Sequence, residues 1–259
     1  MSDVRAVGIV GAGTIGRAVG ARLQEGLPGL KLLGYVVRAP KGDLDAREFA
    51  SVGDLLDAGA QIVVEAASHD ALRECGEPAL AAGADLVCTS VGALADPGLR
   101  SRLWAAGVAS GARLVVPSGA VGALDVLGAA AEDGLDEVVI EQRKPPRTLL
   151  PADEADALTE PRVVFDGTVT EVVSLYPKTT NVAAAVALAG LGFDATRARV
   201  VADPSLRANQ ALLTARGSFG ELALRLDNVA TANPRTSAIT AQSVVAALRR
   251  LVAPLVVPG

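Results

Sequence analysis

The sequence predicts an α/β protein, with a doubly wound parallel sheet in its first half and an α+β region carrying a mixed or antiparallel sheet in its second. Three observations carry this expectation. The apolar run Val7-Gly8-Ile9-Val10 breaks into Gly11-x-Gly13-x-x-Gly16 and is followed at once by the helical segment Arg17 to Gln24. Short apolar strands then alternate with helical segments as far as Val116, the pattern of a parallel sheet covered on both faces. Half of the 259 residues are hydrophobic, carried by Ala, Val and Leu, and aromatics make up only 3%, which suits helices packed closely on such a sheet.

The glycines each have a physical task. Gly11 permits the tight strand-to-helix turn, Gly13 lets a pyrophosphate approach bare backbone, and Gly16 lets the helix pack on the strand. With Thr14 and Ile15 they form the expected phosphate end of a dinucleotide site, since a helix N-terminus offers N–H groups and a positive dipole end. Glycines of this spacing also serve tight packing, but their place between strand and helix favours a Rossmann-type loop. Leu30 to Val37 reads as the next buried strand and ends in Arg38. An acid about 20 positions beyond the glycines suits the ribose of NAD, whereas an arginine there suits the 2′-phosphate of NADP. Arg38 therefore points to NADP, or to use of either NADP or NAD, unless it is simply a solvated loop residue.

Ser51 is placed to cap a helix over Val52 to Ala58, and Gln61 to Ala66 is a strand. Ser68 would cap a helix from His69 to Ala82; Asp85 to Thr89, Pro97 to Ser110 and Arg113 to Val116 continue as strand, helix, strand. Small-residue turns thus recur at strand ends: Gly11 to Gly16, Ala66 to His69 (with Ala67 and Ser68), Ser90 to Ala93, and Pro117 to Ala120. Such turns on one edge suit a flat ligand lying along it. Beyond Gly122 come a helix from Ala123 to Asp133 and the alternating strand Glu137 to Gln142. The basic cluster Arg143 to Arg147 and the acidic stretch Leu149 to Pro161, a loop or short helix, follow. Val163 to Gly167 resembles a strand end, and Val169 to Leu175 and Asn181 to Leu191 read as helices. Arg197 to Ala202, Gln210 to Arg216 and Glu221 to Leu226 are strands, and the last helix runs from Arg235 to Leu251. The expected domains are residues 1–120 for the dinucleotide and 121–232 for catalysis and dimerisation, with 233–259 packing back on the first.

A net charge of −5 with scattered basic residues argues against a nucleic-acid surface. The longest apolar run, Val182 to Phe193, is shorter than the roughly 20 residues a membrane span needs. The chain enters its first strand almost at once, so no signal peptide and a cytoplasmic location are expected. With one histidine and two isolated cysteines, no zinc site is expected, and Cys75 and Cys88 read as buried thiols.

Several stretches resemble signatures of the L-aspartate dehydrogenase family: Val64 to His69, Ser90 to Asp96, Pro117 to Gly122, Arg143-Lys144-Pro145-Pro146 and Phe165-Asp166-Gly167. Tyr176-Pro177-Lys178, Asn181-Val182-Ala183, Leu188-Ala189-Gly190, Ala202-Asp203-Pro204, Gly217-Ser218-Phe219-Gly220 and Asn233 to Ser237 continue in family order across nearly the whole chain. The resemblance implies a Rossmann domain and an α+β catalytic domain, a homodimer formed through the latter, and interconversion of L-aspartate with oxaloacetate and ammonia through iminosuccinate, using NAD or NADP. It also implies that Ala120 and Asn181 contact the nicotinamide end of the cofactor. One departure stands out. The family's Asn-x-His, which supplies its catalytic histidine, is here Asn209-Gln210-Ala211, and alanine neither donates a hydrogen bond nor transfers a proton. A second is Thr179-Thr180 where the family commonly has asparagine.

Candidates for the missing chemistry are His69, Lys144, Lys178 and Asn209. An imidazole with a pKa near about 6.5 suits proton exchange with an amine, although His69 can equally be a pocket-shaping residue at a helix start. A lysine binds a substrate carboxylate or, if desolvated, serves as acid or base; a solvated surface charge is the plainer alternative. The leading expectation is an NAD(P)-dependent oxidoreductase acting on L-aspartate or a related small amino acid. The alternatives are an imine reductase for another substrate, or an inactive cofactor-binding homologue.

Overall fold

The computed structural model describes residues 4–177, 180–231 and 237–257. The chain forms two compact units, one running to Pro117 and taking in Ala241–Val257, the other Ser118–Thr240. The first unit is built from β1 (Arg5–Val10), α1 (Thr14–Gln24), β2 (Leu30–Val36), β3 (Glu48–Phe49), α2 (Val52–Asp57), β4 (Ile62–Glu65), α3 (His69–Ala81), β5 (Asp85–Cys88), α4 (Pro97–Ser110) and β6 (Leu114–Val115). Its strands lie in the order β3-β2-β1-β4-β5-β6, and every neighbouring pair is parallel. The α/β expectation holds.

Burial explains the strands. Val7, Ile9, Ile62, Val63 and Val64 are fully enclosed, and each such aliphatic side chain contributes about 1.5–3 kcal/mol. Helix ends follow local chemistry. Ser51 and Asp54 form a reciprocal capping box at α2, Ser68 Oγ accepts from the Ala71 amide at 3.1 Å, and Asp96 accepts from the Gly98 and Leu99 amides ahead of Pro97. Three features of this unit differ from expectation by more than a residue at an end. Helix α1 begins at Thr14, so Thr14 and Ile15 belong to its first turn. The two-residue β3 was not anticipated; it pairs Glu48 and Phe49 with Tyr35 and Val36. Residues Val91–Ala95 form a 3-10 helix instead of an open turn, closed by the Ala93 amide on the Ser90 carbonyl at 3.0 Å and the Asp96 amide on the Ala93 carbonyl at 3.2 Å.

The second unit comprises α5 (Leu124–Ala131), β7 (Leu135–Lys144), α6 (Ala152–Ala157), β8 (Arg162–Thr168), α7 (Val169–Leu175), α8 (Asn181–Ala189), β9 (Arg197–Ala202), β10 (Gln210–Gly217) and β11 (Gly220–Asp227). Its sheet runs β11-β10-β7-β9-β8 and is mixed: β7 and β9 are parallel, the other pairs antiparallel. Strand β7 runs beyond the expected Gln142 through Arg143 and Lys144, so the first two residues of the basic cluster are strand residues. Pro145, which has no N–H to offer the ladder, stands just past its end, and Pro146–Thr148 form a 3-10 turn. Val163 to Gly167 is no strand end but the body of an edge strand, antiparallel to β9.

The final helix, α9, spans Ile239–Arg250 and not Arg235 to Leu251; Ser237 instead bridges to Ala230, and residues 232–236 lie outside the described residues. Val244, Val245, Ala247 and Leu248 of α9 pack with Ile9, Val19 and Leu23 in the core of the first unit. No helix among the described residues is long and apolar enough to cross a membrane.

The amino edge of the parallel sheet is fastened by Asp85. Its carboxylate accepts from Arg5 at 2.9 Å and from the Arg113 guanidinium and amide at 2.9 and 2.7 Å. Burial works against its charge, but the hydrogen bonds from Arg113 and Arg5 outweigh that and hold its pKa below the usual carboxylate range. The stabilisation is therefore fully present above the unfolded carboxylate pKa of about 3.9 and is lost as pH falls through the lowered folded value. Replacing Asp85→Asn is expected to lower unfolding free energy by about 1–3 kcal/mol at neutral pH, measured by urea denaturation. The gap between variant and parent closes in strong acid; an equal gap at every pH contradicts the assignment.

Candidate active site

Because every strand of the first sheet points the same way, all carboxyl ends share one edge. The chain builds β1, β2 and β3 outward, then crosses to lay β4, β5 and β6 on the other side of β1. The switch point falls between β1 and β4, where ligands bind in sheets of this type. Each glycine of the loop there behaves differently. Gly11 has φ +100°, and a Cβ on it would lie 2.8 Å from both the Ala66 carbonyl oxygen and the Ala67 Cβ. A Cβ on Gly16 would collide with the Gly11 carbonyl, whereas one on Gly13 would meet nothing within 4 Å. Gly13 is exposed and serves as N-cap of α1, with no side chain capping that end. Bare backbone, open space and an uncapped helix N-terminus together fit a diphosphate.

Beside the loop, Arg17 donates from Nε to the Ala12 carbonyl at 3.0 Å and from its terminal nitrogen to Asp43 at 2.9 Å. This tethers the glycine loop to the segment after β2. Arg38 is exposed, one residue past Val37, whose amide bonds the Phe49 carbonyl. The nearby acids have other duties. Asp43 faces Arg17, and Glu48 accepts from the Lys41 and Gly42 amides at 2.9 and 3.2 Å.

At the end of β4 stands a residue that the sequence did not single out. Glu65 is fully buried. Its Oε1 accepts from the Ala67 amide (2.8 Å), the Ser68 amide (3.0 Å) and Ser90 Oγ (2.8 Å), and its Oε2 from the Ser90 amide (3.0 Å). Burial pushes its pKa up, while these hydrogen bonds oppose the shift. Ser68 has its side chain committed to the cap of α3 and its amide to Glu65; Ala67 is exposed, and His69 opens α3, half-buried. The signal was an acid closing an otherwise apolar strand, Ile62-Val63-Val64-Glu65. Both cysteines are buried, and burial pushes the Cys75 thiol up to about 12, which makes it inert.

The second unit holds the remaining candidates. Ala120 is buried next to Gly119 (φ +64°), and Ala123 adopts φ +60° ahead of α5, a strained value for a residue with a Cβ. Asn181 opens α8 and is half-buried; the preceding Thr180 donates to the Tyr176 carbonyl at 2.9 Å. Lys178 lies outside the described residues. In the sheet, Ala211 sits opposite Gln142 of β7, which in turn pairs with Val200 of β9, while Lys144 pairs with Ala202. Alternation puts Ala211, Gln142, Lys144, Val200 and Ala202 on one buried face. Lys144 is only 4% exposed, and burial lowers its pKa from 10.5 to about 8. The next strand position, Arg143, pairs with Asp203 at 2.8 Å, and Asp203 also accepts from the Ser205 amide and hydroxyl. Asn209, just before Gln210, has a buried Oδ1 that accepts no hydrogen bond. Gln210 donates to Asp227 at 2.5 Å. Lys144 and Ala211 are thus brought to one face, with Asn209 beside the start of β10.

The family model described as "Aspartate dehydrogenase, C-terminal" matches residues 125–251, and that described as "Homoserine dehydrogenase, NAD binding domain" matches residues 11–117. An L-aspartate dehydrogenase of Ralstonia pickettii is 47% identical over 199 residues, 74% of each chain. One from Cupriavidus necator is 43% identical over 258 residues, covering 93% of this chain and 96% of the relative. The crystal structure of aspartate dehydrogenase from Thermotoga maritima matches with a TM-score of 0.81 at 28% identity, covering 98% of this chain and 99% of that one.

The glycines separate folding from binding. Gly13→Ala is expected to leave stability within about 0.5 kcal/mol while weakening dinucleotide binding, read by calorimetric titration with NADPH and NADH. Gly11→Ala, strained by its φ and crowded by Ala66 and Ala67, is expected to lower stability by about 1–3 kcal/mol. Equal effects of the two substitutions on stability would contradict the distinction.

Proposed function

The chain belongs to the aspartate dehydrogenase family, and from that premise we propose that it interconverts L-aspartate with oxaloacetate and ammonia using a nicotinamide dinucleotide. The observation that carries the redox reading is the open cradle at Gly13 on the uncapped N-terminus of α1. The cofactor, when bound, supplies hydride exchange with the substrate α-carbon. The protein's part is to orient the reactants and manage charge and protons.

Gly11, Gly13, Thr14, Ile15 and Gly16 hold the diphosphate, with Ala67 and Ser68 lining the adjacent strand end. Arg38 takes the ribose side and favours NADP over NAD. Support for that preference comes from the acids nearby: Asp43 is occupied by Arg17 and Glu48 by two backbone amides, while Arg38 is an exposed cation at the strand end. Ala120 and Asn181 approach the nicotinamide, following the family motif.

Lys144 handles the substrate amine's proton in place of the histidine that Ala211 lacks. Its burial and its pKa of about 8 let it change protonation near neutral pH, and it shares a sheet face with Ala211. Asn209, with an unsatisfied buried oxygen, is a hydrogen-bond acceptor for an ammonium or amine. His69 and Lys178 stay secondary candidates for substrate contact. Ala211 itself favours a second reading, a cofactor-binding homologue without turnover.

With oxaloacetate and ammonia, nicotinamide absorbance is expected to fall, faster with NADPH than with NADH. Binding of NADPH without any turnover supports the second reading and overturns the first. Ala211→His is expected to raise aspartate turnover by about tenfold or more, part of the roughly hundredfold or greater gain that a general acid–base contributes. Aspartate oxidation is expected to rise with pH through about 8 as Lys144 loses its proton. Lys144→Arg, which keeps charge but cannot deprotonate, should lose that rise and about a hundredfold or more of the rate. An unchanged pH profile removes Lys144 from the mechanism.

A further inference from the structure

We propose that Glu65 is a positioning residue that sets the nicotinamide-side rim of the cofactor site by holding the turns after β4 and β5 on a single carboxylate. The inference rests on the dinucleotide reading above and deepens it. Strand order carries the first part of the argument. With β1 between β2 and β4, the ribose-side residue Arg38 stands at the β2 end, so the other half of a dinucleotide extends over the ends of β4 and β5. Those two ends are the ones Glu65 joins: it closes β4, and its acceptors take the amides of Ala67 and Ser68 after β4 and both the amide and hydroxyl of Ser90 after β5.

The chemistry of the clamp is specific. A carboxylate only accepts, and all its partners here are donors. The N-terminus of α3, capped by Ser68, adds a favourable dipole to the buried anion. An apolar residue could fill this space without the expense of burying a charge, so a carboxylate here is explained by the geometry it imposes. That geometry reaches the glycine loop as well. The Ala66 carbonyl and Ala67 Cβ, fixed by the same turn, are the groups that leave Gly11 no room for a side chain.

Glutamine at this position keeps one acceptor oxygen, enough for the Ala67 and Ser68 amides and Ser90 Oγ. It turns an N–H donor toward the Ser90 amide, releasing the β5 turn while leaving the β4 turn in place. The test compares NADPH with 2′-phospho-ADP-ribose, which lacks only the nicotinamide, by calorimetric titration of the full chain. NADH and ADP-ribose are run in parallel. Glu65→Gln is expected to weaken binding of the complete dinucleotide about tenfold, and of the nicotinamide-free analogue less than about threefold. Equal weakening of both, as general damage to the unit would give, or no change in either, overturns the proposal. Should Glu65→Gln fail to fold, Ser90→Ala decides: removing only the Oγ contact, it is expected to weaken the complete dinucleotide by about threefold and to spare the analogue. Failure of the unmodified protein to bind either ligand contradicts the dinucleotide reading itself, a result separate from any loss confined to the variants.

Discussion

Four hydrogen bonds converge on the carboxylate of Glu65, and they tie together the ends of β4 and β5, which lie side by side next to the switch point of the parallel sheet. A second buried carboxylate, Asp85, does the corresponding work at the opposite edge, but with arginine partners. The contrast follows from what each edge is for. At the amino edge, charge pairing with Arg5 and Arg113 fastens strands and serves stability. At the carboxyl edge, three backbone amides and the Ser90 hydroxyl meet the Glu65 carboxylate, and each of these four donors is uncharged.

The second unit poses its chemistry on a different scaffold. Its mixed sheet brings Lys144 and Ala211 to one buried face through the pairing of β7 with β10. A lysine in such surroundings loses much of the solvation that favours its charged form, and burial lowers the Lys144 pKa to about 8. Under the proposed function, Ala211 leaves the proton exchange to another residue, while hydride chemistry belongs to the cofactor. The Arg143–Asp203 pair, on the neighbouring strand position, leaves Lys144 on the buried side and fixes the end of β7.

Much of this architecture was legible in the residues. Gly11, Gly13 and Gly16 marked the switch point because their spacing, set between an apolar strand and a helix, has a mechanical reason at each position. Ser51 and Ser68 marked helix starts because short polar side chains reach back to free amides. Less legible were features decided by tertiary contact. Strand β3, with two residues, is too short to show a period, and Val91–Ala95 looked like a turn because small residues hide a 3-10 helix. Lys144 read as one of a basic cluster, a site candidate with a solvated surface charge as the alternative; its burial depends on the register of β7 against β9 and β10. Glu65 was passed over for the same reason, since its partners at Ser90 lie 25 residues away in sequence.

On the proposal above, the glycine loop and the two Glu65-bound turns form one preassembled ligand edge. Amide hydrogen exchange, followed by mass spectrometry with and without saturating NADPH, tests it most directly. Cofactor is expected to slow exchange together at Gly13 to Gly16, at Ala67 and Ser68, and at Ser90 to Gly92. Protection confined to the glycine loop, with the turns after β4 and β5 unchanged, would contradict it.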